Sequence, residues 1–156
     1  MDNNILRGYT SHTIRGKKGD KCPPEEIEAN CAKATSDMMQ LQGMLYRANM
    51  PVSLYIPGSR DEFIQKAYLA GRITAEQILT TDCEIISNCD FLLVYNWGRW
   101  IGGGVQVELS HAQSKDIPVL IIENMDQKSY VEILHFLSGL VLDKMQEPTI
   151  IKLPGA

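Results

Sequence analysis

An α/β fold with a parallel sheet is the architecture this sequence predicts, on three observations. Short apolar runs alternate along the chain with longer stretches whose apolar residues recur every three or four positions. The run Asp90-Phe91-Leu92-Leu93-Val94-Tyr95 is nearly all apolar, as a strand covered on both faces requires. The chain has 156 residues, 44% hydrophobic and 22% charged, which suits one domain able to bury a core. With no repeat, low-complexity tract or second domain in view, residues 1–156 read as a single unit.

Taken in order, Ile5-Leu6-Arg7-Gly8-Tyr9 reads as the first strand, and a polar, basic loop follows from Thr10 to Lys21. Pro23-Pro24-Glu25-Glu26 opens a helix, since proline suits the first turn and carboxylates favour its positive end. Ile27, Cys31, Ala34, Met38, Leu41 and Leu45 mark its apolar stripe. Val52 to Ile56 is the second strand, closed by Pro57-Gly58, and a helix spans about Asp61 to Ala70. Thr74-Ala75-Glu76-Gln77 resembles a capping box starting a helix that runs to about Asn88. Asp90 to Tyr95 is the third strand. Three glycines lead into a helix from about Val105 to Lys115, and Ile117 to Ile122 is the fourth strand, with Pro118 tolerated at its start. A last helix from about Ser129 to Lys144 and a short strand near Ile150 complete the chain. Strands alternating with helices imply helices on both faces of the sheet. Five strands suggest a flavodoxin-like (Rossmann-like) three-layer sandwich in the order 2-1-3-4-5, which binds ligands where strand order reverses, between the loops after strands one and three.

Several function classes fall away on composition. The net charge of -4 argues against nucleic-acid polymers, which recruit basic surfaces. No apolar run approaches the ~20 residues of a membrane span, and Met1-Asp2-Asn3-Asn4 lacks a signal-peptide pattern. Cys22, Cys31, Cys83 and Cys89 form no C-x-x-C pair and have no histidine at metal-ligand spacing, so free thiols in a reducing compartment are expected. Cys31 and Cys89 fall on apolar stripes and read as buried. A cytoplasmic protein without disulfides, zinc or any cofactor is the expectation.

Two carboxylates interrupt apolar stripes. Val105, Leu109 and Ala112 mark the buried face of their helix, and Glu108 stands on or beside it, near the helix start. Asp82 falls among Ile78, Leu79, Ile85, Ile86 and Cys89. A buried, unpaired carboxylate costs several kcal/mol, so capping or ion pairing is one explanation for each. Together they are the equipment of retaining glycoside chemistry, one attacking the anomeric carbon and the other managing the proton. Glu108 suits the attacking role beside a helix N-terminus, and Asp82, among apolar neighbours, suits the acid.

The neighbouring loops supply candidate binding groups. Gly102-Gly103-Gly104 can bring backbone N–H groups close to an anion or can simply be a flexible turn. Ser11, His12, Thr13, Arg15, Lys17 and Lys18 bring hydroxyls and cations to the first loop. Trp97 and Trp100 flank the glycine loop, where rings stack on a base or pack on the protein itself. His111 lies one turn after Glu108, and His135 sits in an apolar helix and reads as structural.

These residues resemble a family. Tyr9-Thr10-Ser11-His12-Thr13-Ile14-Arg15-Gly16 is similar to the first-strand loop of the 2'-deoxynucleoside 5'-phosphate N-hydrolases, which share their layout with the nucleoside 2-deoxyribosyltransferases. The segments from Asp82 to Val94 and from Gly104 to Leu109, followed by Ala112, Lys115 and Pro118-Val119-Leu120-Ile121, resemble the approach to strand three and the nucleophile helix. The resemblance implies N-glycosidic bond cleavage or base exchange on a (deoxy)nucleoside or nucleoside 5'-monophosphate, through a covalent glycosyl-enzyme on Glu108. It implies a homodimer or larger assembly and no metal. Tyr9 would orient the nucleophile, Asp82 would serve as the acid or orient the sugar, and Ser11, His12, Thr13, Ile14, Arg15, Gly16, Asn96, Gly102 and Gly104 would line the substrate site. His12 and Thr13 stand where the family has Gly and Ser, and Gly102 where it has a phosphate-binding serine; Ser129 lies only near the position of the second. The competing reading is a nucleotide-sensing module on the same fold that binds without turnover; a third is an interaction domain in which both acids are capped or paired.

Overall fold

Hydrogen bonding and burial of the central strands on both faces organise the chain around one parallel sheet, seen in a computed structural model that describes residues 4–146. The strands are β1 (Leu6–His12), β2 (Val52–Tyr55), β3 (Phe91–Tyr95) and β4 (Val119–Ile122), and the helices α1 (Pro24–Arg47), α2 (Asp61–Leu69), α3 (Ala75–Ser87), α4 (Gly103–Ser114) and α5 (Gln127–Gln146). Among the described residues the sheet has four strands in the order β2-β1-β3-β4, all parallel. The fifth strand expected near Ile150 lies outside the described residues.

The local signals act as their chemistry dictates. Pro24 stands in the first turn of α1 with Glu25 and Glu26 at its positive end and Arg47 at its negative end. The capping box of α3 closes: Thr74 Oγ1 accepts from the Gln77 N–H at 3.1 Å, and Gln77 Oε1 accepts from the Thr74 N–H at 2.9 Å.

Strand alternation sorts the core into two layers. Leu6, Phe91, Leu93 and Tyr95 face α1 and α5, meeting Met38, Leu41, Leu45, Ile133 and Leu137. Tyr9, Leu92 and Val94 face α3 and α4, meeting Ile86, Val105 and Ala112. Cys31 and Cys89, expected inside, are only half-buried, because they sit at the margins of their stripes.

The first strand departs from expectation. The loop anticipated from Thr10 begins three residues later, since Thr10, Ser11 and His12 pair with Leu93, Val94 and Tyr95 of β3. A polar stretch can run through a buried central strand because its hydroxyls are bonded there: Thr10 Oγ1 donates to the Tyr55 carbonyl at 3.0 Å, and Ser11 Oγ donates to a carboxylate of α4.

Gly8 is where β1 tolerates no side chain. The Phe91 ring lies across it, so that a Cβ there would sit 2.1 Å from a ring carbon, and Phe91 in turn meets Phe136 edge-on at 5.9 Å. Gly8→Val is expected to lower the unfolding free energy by about 2 kcal/mol, the usual cost of overpacking; a urea midpoint equal to that of the parent chain would show that Phe91 is not confined by Gly8.

Candidate functional site

Strand order reverses between β1 and β3, and the site forms there, at the carboxyl ends of the strands. Tyr9 and Ser11 are two apart on β1, so both project to the face covered by α4. Val105, Glu108 and Ala112 form the buried stripe of α4, which lays Glu108 against those two hydroxyls. Only 7% of Glu108 is exposed. Its Oε1 accepts from the Tyr9 hydroxyl at 3.2 Å, and its Oε2 accepts from Ser11 Oγ. Hydrogen bonds to a charged group contribute about 1.5–3 kcal/mol each, so the two offset much of the cost of burying the carboxylate.

Asp82 reaches the same place from α3, half-buried. Burial drives the Tyr9 phenol far above the ordinary tyrosine range; the Glu108 charge, the Asp82 charge and hydrogen bonds to both carboxylates push it the same way. Tyr9 therefore keeps its proton throughout the neutral range and gathers both acids around one oxygen. Tyr55 stacks on the Tyr9 ring at 5.5 Å, with Arg60 over Tyr55 at 5.9 Å, and holds the phenol in place.

A hollow of about 470 Å³ opens over the pair, lined by Asp82 and Glu108 at one end and by His12 to Lys17 and Trp100 to Gln106 around it. That volume is ordinary for a small-molecule site. A narrower recess of about 70 Å³ adjoins it, sharing Asp82 and Glu108 and bounded further by Tyr9, Tyr55, Pro57, Ile64 and Gln65.

Thr13 ties the two rims together. Its Oγ1 donates to the Trp100 carbonyl at 2.9 Å and accepts from the Gly102 N–H at 3.3 Å. Gly102 stands against it: a Cβ there would come within 3.2 Å of Thr13 Cγ2. Gly16 turns the first loop with φ at +57°, a conformation that favours glycine. Arg15 lines the hollow with its guanidinium on Asp20 at 2.7 Å, a largely exposed pairing that an anion can replace.

Of the residues expected at the site, Glu108, Asp82, His12, Thr13, Ile14, Arg15, Gly16, Gly102 and Gly104 all line the large hollow. Tyr9 and Ser11 line the recess behind it, buried and bonded to Glu108, so Ser11 holds the carboxylate and does not face the large hollow. Asn96 does not join them. It borders a neighbouring hollow, and its Oδ1 accepts from the Trp100 N–H at 2.9 Å within the turn after β3. His111 is tied to α3 through Nε2 and Ser87 Oγ at 2.7 Å, and His135 is exposed on α5, away from the hollow. Ser129 Oγ donates to Asn124 Oδ1 at the start of α5. Tyr55, Ile64 and Gln65 line the recess without having stood out in the sequence; for Tyr55 the ending of β2 at Pro57 was the available signal, since strand ends at this edge face the site.

Among the described residues no cluster of His, Cys, Asp and Glu is arranged to hold a metal ion, and no helix is long and apolar enough to cross a membrane. Compared with family models, with curated proteins and with solved structures, the chain matches none.

The Thr13 bridge has a measurable consequence. Thr13→Val removes both bonds and is expected to speed hydrogen exchange at the Gly102 amide roughly tenfold, whereas Thr13→Ser leaves it within about twofold; unchanged exchange in the valine variant would show that the rims are held by something else. The thiols on α3 and beyond it are also informative. Burial first, then the Asp90 charge, pushes Cys89 up to about 11, and burial followed by the Glu108 and Asp82 charges raises Cys83. Because the thiolate is the reactive form, alkylation of both cysteines in the native protein is expected to be slow at pH 8 and to accelerate as pH rises toward 11. Rapid labelling at pH 8 would contradict that environment.

Proposed function

We propose that the protein cleaves or exchanges the N-glycosidic bond of a (deoxy)nucleoside or nucleoside 5'-monophosphate, through a covalent glycosyl-enzyme on Glu108. The observation that carries this reading is the gathering of Glu108 and Asp82 around the single phenol of Tyr9, at the floor of a small-molecule-sized hollow. Retaining glycoside chemistry needs two close carboxyl groups with different proton states. Tyr9 has one proton to donate. That proton is given to Glu108 at 3.2 Å, which keeps Glu108 in the ionised, attacking form and leaves Asp82 as the acid of the pair.

In the first step a Glu108 oxygen bonds to the anomeric carbon as the carbon–nitrogen bond breaks. The bonding pair leaves with the base, and the Asp82 proton neutralises it. In the second step water or a second base attacks the same carbon, Glu108 departs as carboxylate, and Asp82 takes the attacking group's proton. Tyr9 and Ser11 orient the nucleophile, and their hydroxyls stabilise the carboxylate before attack and after release. The cationic loop at Arg15 and Lys17 and the N–H groups at the start of α4 suit a 5'-phosphate. A homodimer or larger assembly is part of the same reading; Phe63 and Leu69 of α2, 78% and 80% exposed, are apolar surface beside the site available for such a contact. A cytoplasmic setting fits the free thiols.

Incubation with a panel of nucleosides and monophosphates, with and without an acceptor base, tests the proposal by base release or exchange. Glu108→Gln is expected to lower turnover at least about a thousandfold with circular dichroism unchanged, and Tyr9→Phe to lower it roughly a hundredfold. Asp82→Asn is expected to impair substrates with poor leaving bases most. A Glu108→Gln protein as active as the parent would end the mechanism.

A further inference from the structure

Next to the catalytic hollow lies a second one of about 190 Å³, enough for several waters, which the chemistry above does not use. The two share Thr13, Gly16, Lys17 and Trp100 as a common wall. Both tryptophans of the chain line the second hollow. Trp97 is a fixed wall: His12 stacks on it at 6.1 Å, Tyr95 packs at 4.8 Å and Lys33 lies 5.6 Å from its ring. Trp100 is 44% exposed, with Lys17 over its ring at 5.8 Å.

Two amides, each half engaged, share the lining with the Glu26 carboxylate, which Lys18 pairs. Asn30 Nδ2 donates to the Ile14 carbonyl at 2.9 Å, which leaves its carbonyl oxygen as an acceptor. Asn96 Oδ1 accepts from the Trp100 N–H, which leaves its amino group as a donor. Indole rings beside one acceptor and one donor are the chemistry that recognises a nucleobase, and an adenine offers the matching amino donor and ring-nitrogen acceptor along one edge. The three hollows run in series along the sheet edge. The recess and the catalytic hollow share Asp82 and Glu108, and the catalytic hollow and the second one share the Lys17 wall.

We infer that the site takes a ligand longer than a nucleoside monophosphate: two nucleosides joined 5' to 5' through a diphosphate, with the scissile sugar over Glu108, the phosphates along Arg15 and Lys17, and the distal adenine in the second hollow. The position of the scissile sugar rests on the proposed glycosidic reading; the distal subsite does not. Gly98 borders the second hollow and not the catalytic one, and a Cβ on it meets nothing within 4 Å, so a side chain starts there without a clash and Gly98→Phe adds bulk at the border of the subsite.

Quenching of the two tryptophans reports binding directly. The probes are adenosine 5'-monophosphate and diadenosine 5',5'-diphosphate, each titrated into the wild-type chain, Gly98→Ala and Gly98→Phe. The dinucleotide is expected to bind wild type and Gly98→Ala at least about tenfold tighter than the monophosphate, and Gly98→Phe to abolish that difference. Equal affinities, no binding of the dinucleotide at millimolar concentration, or a preference that survives Gly98→Phe would each overturn the subsite. Adenine release, followed in parallel, separates the two proposals. Release from both probes at equal kcat/KM, with equal affinities, removes the subsite and keeps the glycosidic reading. The expected binding pattern with no release from any nucleoside or nucleotide keeps the subsite and removes that reading.

Discussion

The buried Glu108 carboxylate, held by hydroxyls of the adjacent strand, is the contact on which the site's arrangement depends. An acid on the inner stripe of a helix is tolerated only if its desolvation is offset, and here Tyr9 and Ser11 supply that offset from one face of β1. The same requirement explains why β1 continues through Thr10, Ser11 and His12, although these residues read as loop. Glu108 gives the Tyr9 and Ser11 hydroxyls an acceptor, and the Tyr55 carbonyl gives Thr10 its own. Strand and helix therefore satisfy each other, and the edge of the sheet becomes polar just where strand order reverses.

A second constraint is the crowding of acids around Tyr9. Two carboxylates near one phenol disfavour full ionisation of the group, and burial strengthens the effect. The charge stored there is what a cationic, oxocarbenium-like centre would relieve, which connects the electrostatics of the floor to the proposed chemistry. Around that floor the loops are held by side chains bonded to backbone: the Thr13 bridge between the rims and the Asn96 amide on the Trp100 N–H, with Gly102 in close approach to Thr13.

Much of this was legible in the residues. Glu108 and Asp82 stood out because each broke a helical stripe, and a break in periodicity is a local signal. The capping box at Thr74 and the proline start of α1 are equally local, and both form as read. Asn96 and Ser11 were less legible. Their neighbours in sequence place both at the site, but side-chain direction is set by strand register and by the turn after β3. Ser11 points inward to Glu108, and Asn96 turns toward a different hollow. Ile64 and Gln65 carried no signal at all, since α2 meets the recess only after the chain has passed through β2.

By itself, then, the sequence determined an alternating α/β chain, the stripes that face the sheet, and the two acids out of place, because these follow from periodicities of two and 3.6 residues and from short-range capping. Tertiary structure alone decided that both acids meet on Tyr9, that Thr13 joins the rims of the hollow, and that a second, indole-lined hollow adjoins it. Those facts depend on parallel pairing across residues some eighty positions apart, where β1 lies beside β3, and no local pattern encodes which side chains such a pairing brings into contact.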